Sequence, residues 1–197
     1  MNRPDWAAQA RGSPTSTRTQ QSGSDRGINQ MQATVEASTY LLALAEPILT
    51  QLDDSHRALE PMPGAKTAGW LVGHLAISGD FARGLCGRPP LCPAAWRSAF
   101  APGSQPSVHP GDYPPMASLT EAFFAVYRDL CAAALAASPE ALEAANPYTP
   151  ARTAFPTVRD FVAYLMTAHL AYHLGQLTGW RAAAGLGRIH RPDSLAA

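Results

Sequence analysis

Eight of the chain's 18 prolines (Pro89, Pro90, Pro93, Pro102, Pro106, Pro110, Pro114 and Pro115) fall between residues 86 and 117, and this crowding constrains the fold more than any other feature. Proline removes a backbone donor and clashes with the preceding helical turn, so the stretch is neither a regular helix nor a central strand. On both sides of it the apolar residues recur with helical spacing. The chain therefore reads as helices separated by one long irregular connection.

The first helical pattern spans about residues 31–58, through Val35, Leu41, Leu42, Ala43, Ala45, Ile48 and Leu52. Pro47 falls inside it and predicts a kink or break. Thr67 is placed to cap a second helix whose stripe is Trp70, Leu71, His74, Ile77, Phe81 and Leu85. Ser118 with Glu121 three residues on has the form of a capping box, opening a third helix through Phe123, Phe124, Tyr127, Leu130 and Leu135. Thr157 and Asp160 repeat that signature before a last helix carrying Val162, Leu165, Met166, His169, His173, Leu177 and Trp180, which stops by Gly185 or Gly187. Sparse β-branched residues and abundant alanine agree with an all-α fold. Four long helices predict a four-helix bundle, and the 86–117 segment is long enough to cross over its length between the second and third helices.

Residues 1–28 are rich in Ser, Thr, Gln, Gly and Arg without an apolar period, which predicts a disordered tail. Met31 is a second candidate start. The domain is expected over residues 29–187, with a short tail at 188–197. Equal numbers of basic and acidic residues give a formal net charge of zero. A neutral chain lacks the electrostatic footprint for nucleic acid, and no apolar run is long enough for a membrane span. Cys86, Cys92 and Cys131 are too few and too irregular for a disulfide framework, which suits a reducing, cytoplasmic setting. They read as small apolar residues, with Cys86 and Cys92 also candidates for exposed thiols.

The chemistry is concentrated in the histidines. His169 and His173 are four residues apart, which stacks two imidazoles on one helix face, and that face also carries Leu165, Met166, Leu177 and Trp180. His74 sits on the apolar stripe of the second helix. One buried imidazole is commonly satisfied by a nearby hydroxyl or carbonyl. Three on two helices are more economically explained by one shared divalent ion, with coordination positions left open for water or substrate. Imidazole suits zinc, nickel, copper or iron, with zinc and nickel the leading candidates. Gln176, on the same face as His173, is placed either to orient a ligand from behind or to pack as an ordinary amide. Gly73 and Gly175 flank the histidines and suggest close packing; Trp70, one turn before His74, is a core residue or a pocket wall. His56 reads as a solvated residue at a helix terminus, and His109 and His190 carry no assigned role.

WLVGHLA at 70–76, followed far downstream by HLAYHLGQL at 169–177, resembles the DinB-like (DinB/YfiT-like) superfamily of metal-dependent bundles. The resemblance covers about residues 31–187. It implies a four-helix bundle with a long crossover between helices two and three, and a metal triad carried onto His74, His169 and His173. Characterised members of that family include transferases that use low-molecular-weight thiols such as bacillithiol or mycothiol. The expected activity is thus a metal-dependent thiol S-transferase, with a small thiol and an electrophile as partners and a homodimer as a possible assembly. The alternatives are a non-catalytic bundle that binds metal or a small ligand, and a structural bundle in which the histidines are satisfied core residues.

Overall fold

A computed structural model of the chain describes residues 23–187 and 189. Of the tails expected at 1–28 and 188–197, residues 1–22, 188 and 190–197 lie outside the described residues, His190 among them. The chain is all-α: α1 (Gly23–Leu49), α2 (Ala68–Leu85), α3 (Trp96–Phe100), α4 (Met116–Ala136), α5 (Pro139–Glu143), α6 (Val158–Tyr164) and α7 (Leu170–Ala183). A π turn, Leu165–His169, joins α6 to α7 without a break. Among the described residues the only β pairing is an isolated bridge between Ala145 and Thr157. None of the described helices is long and apolar enough to cross a membrane.

α1 begins at Gly23, within the stretch expected to be tail, because extending a nucleated helix adds one hydrogen bond for each residue it orders. It runs through Pro47 and ends two residues later, not at residue 58. Beyond it, the Asp53 carboxylate accepts from the Ser55 N–H and hydroxyl, a local alternative to the helical ladder. The buried stripe of α1 is Met31, Thr34, Ser38, Ala45, Ile48 and Leu49. Ala45 and Ile48 fall on it as expected, while the small hydroxyl residues Thr34 and Ser38 complete it where apolar periodicity showed nothing.

α2 packs most extensively against α4, and α4 and α7 each also pack against α1. A Cβ at Gly79 would lie 2.7 Å from a Val126 methyl and 2.9 Å from the Tyr127 ring, so this glycine sets how closely α2 and α4 approach. Thr67 caps α2 as expected, its hydroxyl accepting from the Trp70 N–H. The expected Ser118 box does not form. α4 starts two residues earlier at Met116, whose N–H donates to the Asp54 carboxylate from the loop after α1. A tertiary cap has replaced the local one. The Thr157–Asp160 box does form, and Gly185, at φ +76°, follows the end of α7.

The proline-rich connection lies against α2 and is anchored by side chains. The Trp70 Nε1–H donates to the Ser104 hydroxyl at 2.8 Å, and the hydroxyls of Tyr113 and Thr67 are 2.9 Å apart. Asp80 accepts from the backbone N–H groups of Leu91 and Cys92. These bonds turn an irregular segment into a fixed wall beside the second helix.

Candidate metal centre

His74 belongs to a buried run of α2 that includes Trp70, Leu71, Val72, Gly73, Leu75 and Ala76. Trp70, one turn earlier, stacks on its ring at 4.8 Å and 6°. Its Nδ1–H donates to the Phe100 carbonyl at 2.7 Å. That carbonyl comes within reach because residue 73 is glycine: a Cβ there would sit 2.6 Å from the Phe100 ring. Gly175, by contrast, meets nothing within 4 Å. The bond to Phe100 settles the tautomer and leaves the Nε2 lone pair of His74 free.

His173 is fixed in the same way from α7. Its Nδ1 is 2.7 Å from Gln176 Oε1, while the Gln176 Nε2–H donates to the Tyr172 hydroxyl. With the amide oxygen facing the imidazole, Nδ1 carries the proton and Nε2 is again a lone pair. His169 closes the group from the end of the π turn. Its Nε2 lies 3.2 Å from that of His74, and its buried Nδ1 has no hydrogen-bond partner.

One candidate ligand atom from each ring lies within 4.8 Å of those from the other two, and together they can hold a metal ion. Burial, reinforced by the neighbouring rings, holds the conjugate-acid pKa of His169 down to about 3 and that of His173 to about 4. Burial lowers that of His74 as well, against the opposing hydrogen bond to Phe100. Neutral imidazoles are what a divalent ion requires. Two nitrogens on one zinc-like ion at about 2.0–2.1 Å would be about 3.3 Å apart at a tetrahedral angle, close to the His74–His169 spacing. Without a cation or a shared proton, two lone pairs at that spacing repel. The donor set therefore suits a metal.

A cavity of about 890 Å³ opens beside His74 and His169. Its walls include Ile77, Phe81 and Leu85 of α2, so this half of the expected core stripe faces the cavity, and Phe81 is 44% exposed. Beside Phe81 the lining is aromatic. Tyr148 stacks on Phe161 at 5.5 Å and Phe155 on Tyr164 at 4.4 Å. Cys92 also borders this space but is buried, and Cys86 is half-buried, so neither is the exposed thiol the sequence allowed. Burial pushes their pKa up, to about 12 and about 11 respectively. His56 stands apart from the triad, half-buried, with its ring edge against Trp180 and its Nδ1 accepting from the Asp53 N–H, rather than solvated. Exposed His109 also lies outside the group.

With this geometry in view, comparison with known families is decisive. The family model of the DinB superfamily matches residues 33–177, a span that contains all three histidines. The chain belongs to the DinB superfamily. No curated protein and no solved structure matches it significantly. Membership of the superfamily thus rests on most of the chain's length.

Periodicity alone did not mark several groups of this DinB-superfamily site. Asp80 and Arg83 are the only charged residues of α2, and that isolation was their signal. Arg88 and Arg97, in the cavity wall, carried none. The Phe100 carbonyl is a backbone atom 26 residues from its histidine and is not readable from residue types.

Proposed function

We propose that this protein is a metal-dependent thiol S-transferase in which His74, His169 and His173 hold one divalent ion, zinc or nickel. The observation that carries the reading is the convergence of three neutral imidazoles, two with their outer nitrogens already hydrogen-bonded, on the edge of a substrate-sized cavity. The four long helical segments, α1, α2, α4 and α6–α7, are taken as a four-helix bundle with the 86–115 connection as its crossover, in a cytoplasmic protein.

A divalent ion at this position would supply a Lewis acid able to bring a thiol's pKa toward neutrality. The chain's own contribution is orientation. The Phe100 carbonyl holds the Nδ1 proton of His74, and Gln176 holds that of His173, so both rings direct Nε2 inward without a rotamer search. Trp70 covers one face of His74 and keeps water from it. The apolar and aromatic walls confine the thiol and its electrophilic partner, which raises their effective concentration and excludes competing hydrolysis.

Elemental analysis of the purified chain is the first test, with one metal ion per chain expected and its loss expected in His169→Ala. Absence of stoichiometric metal would end the reading. The second is conjugation of monochlorobimane to bacillithiol, mycothiol, glutathione or cysteine. A rate above background that disappears in His169→Ala supports a transferase; stoichiometric metal with no acceleration for any of these thiols leaves a metal-binding bundle without transferase activity.

A further inference from the structure

The cavity next to the triad carries an imbalance of charge that the histidines do not explain. Arg88, just beyond α2, and Arg97, on α3, both border it. Asp80 is its one acidic lining residue. The carboxylate of Asp80 is already committed: Oδ1 accepts from Arg83 and the Leu91 N–H, and Oδ2 accepts from the Cys92 N–H. Arg88 reaches no closer than 3.9 Å to Asp129, whose Oδ2 is held by Arg83 at 2.7 Å. Among the described residues no carboxylate lies within ion-pair distance of Arg97. With the histidines neutral, the space is lined by two solvent-exposed guanidinium groups and no uncommitted carboxylate.

The same cavity is lined by Phe81, Tyr148, Phe155, Phe161 and Tyr164, their rings already stacked and edge-packed on one another. A preformed aromatic wall favours a flat apolar body at little ordering cost. Guanidinium groups favour a carboxylate, sulfonate or phosphate, which they can grip through two parallel N–H bonds. The volume, about 890 Å³, suits a ligand of ordinary small-molecule size.

We infer that this cavity selects an organic anion with a flat, aromatic or otherwise apolar body, its charged group held by Arg88 and Arg97 and its body lying on the aromatic wall toward the histidines. This deepens the transferase reading by naming the class of its electrophilic substrate, and rests on that reading only for the reaction, not for the anion preference.

The preference can be read with two dyes of one skeleton, 8-anilinonaphthalene-1-sulfonate and its uncharged parent N-phenyl-1-naphthylamine, titrated by fluorescence into the full chain. The expected result is one sulfonate site per chain, bound at least tenfold more tightly than the neutral dye. Arg88→Gln/Arg97→Gln should abolish that preference and leave binding of the neutral dye unchanged, which also shows that the cavity is intact. Arg128→Gln, an exposed arginine outside the cavity, should change neither. Equal affinity of the two dyes for the unmodified chain would overturn the proposal, as would a double variant that keeps the preference or loses both dyes. The titrations are repeated after chelation with metal content measured in parallel. A preference that survives chelation belongs to the arginines, whatever becomes of the metal reading, and one that vanishes with the metal refutes their role.

Discussion

Two polar centres are buried along α2, about two turns apart, and they are built on opposite principles. At the C-terminal end, Arg83 donates to Asp80, Asp129 and the Pro89 carbonyl, while Asp80 accepts two backbone N–H groups from the crossover. Opposite charges meet and the carboxylate's bonds are filled from several directions. At His74 three groups of one kind meet, with facing nitrogens 3.2 Å apart and the outer nitrogen of His169 unpaired. A satisfied buried network serves the fold. A cluster of three neutral imidazoles with a buried ring nitrogen left unpartnered is incomplete without a further species, and that incompleteness marks the site.

The contrast is broken most directly at Asp80. Asp80→Ala leaves a buried guanidinium short of a partner and strands the N–H groups of Leu91 and Cys92. Removing one member of a buried pair costs about 3–5 kcal/mol, so the midpoint of urea unfolding should fall sharply. His74→Ala in metal-free protein should cost distinctly less, since it strands neutral hydrogen-bonding groups and no buried charge. Comparable losses in the two variants would show that both centres are structural.

The pH response should separate the centres next. The triad histidines have folded-state pKa values lowered by burial, to about 3 for His169 and about 4 for His173, against 6.5 for an unperturbed imidazole. Between those limits the unfolded chain binds protons that the folded chain does not, so stability is retained above about pH 6.5 and lost as pH falls toward 4. The slope is at most about 1.4 kcal/mol per pH unit for each histidine. Thermal unfolding of chelated protein between pH 7 and 4.5 should show this loss, and His169→Leu should flatten it. A profile unchanged by that substitution would assign the acid sensitivity elsewhere.

A third prediction tests the support behind the triad. Gln176→Leu removes the acceptor that fixes the His173 tautomer and leaves the other two rings in place. Losing such an outer partner typically weakens metal affinity about 10–100-fold. Competition against a chromophoric chelator should read that loss at near-normal thermal stability. Unchanged affinity would make the amide a packing group, the other reading its position on the helix allowed.

These contrasts also show which parts of the molecule were legible in the sequence. The helices were, because burying an apolar stripe imposes a period, and so were the caps at Thr67 and Thr157, which lie beside the N–H groups they serve. The start of α4 was not, since Asp54 caps Met116 from 62 residues away. The two sides of the candidate site differ in the same way. His169, His173 and Gln176 lie on one helical run and could be grouped by counting. The fixing of His74 by Phe100 depends on a tertiary approach past Gly73, and the π turn before His169 has no residue signature. Phe81 and Ile77 share the period of core residues, yet they border a cavity; periodicity reports which face a residue occupies, not whether that face is filled.

The smallest expected effect lies one bond further out. Tyr172 is 63% exposed, and its hydroxyl touches the site only by accepting from Gln176 Nε2. Tyr172→Phe removes that acceptor but leaves Oε1 of Gln176 free to meet His173, so the amide loses one of its two anchors rather than its contact. A neutral hydrogen bond near solvent contributes about 0.5–1.5 kcal/mol, which bounds the loss of metal affinity at about tenfold and places it near a few-fold. The same chelator competition resolves a change of that size. If Tyr172→Phe weakens binding as much as Gln176→Leu, the hydroxyl sets the tautomer outright; if it does nothing, His173 alone holds the amide in place.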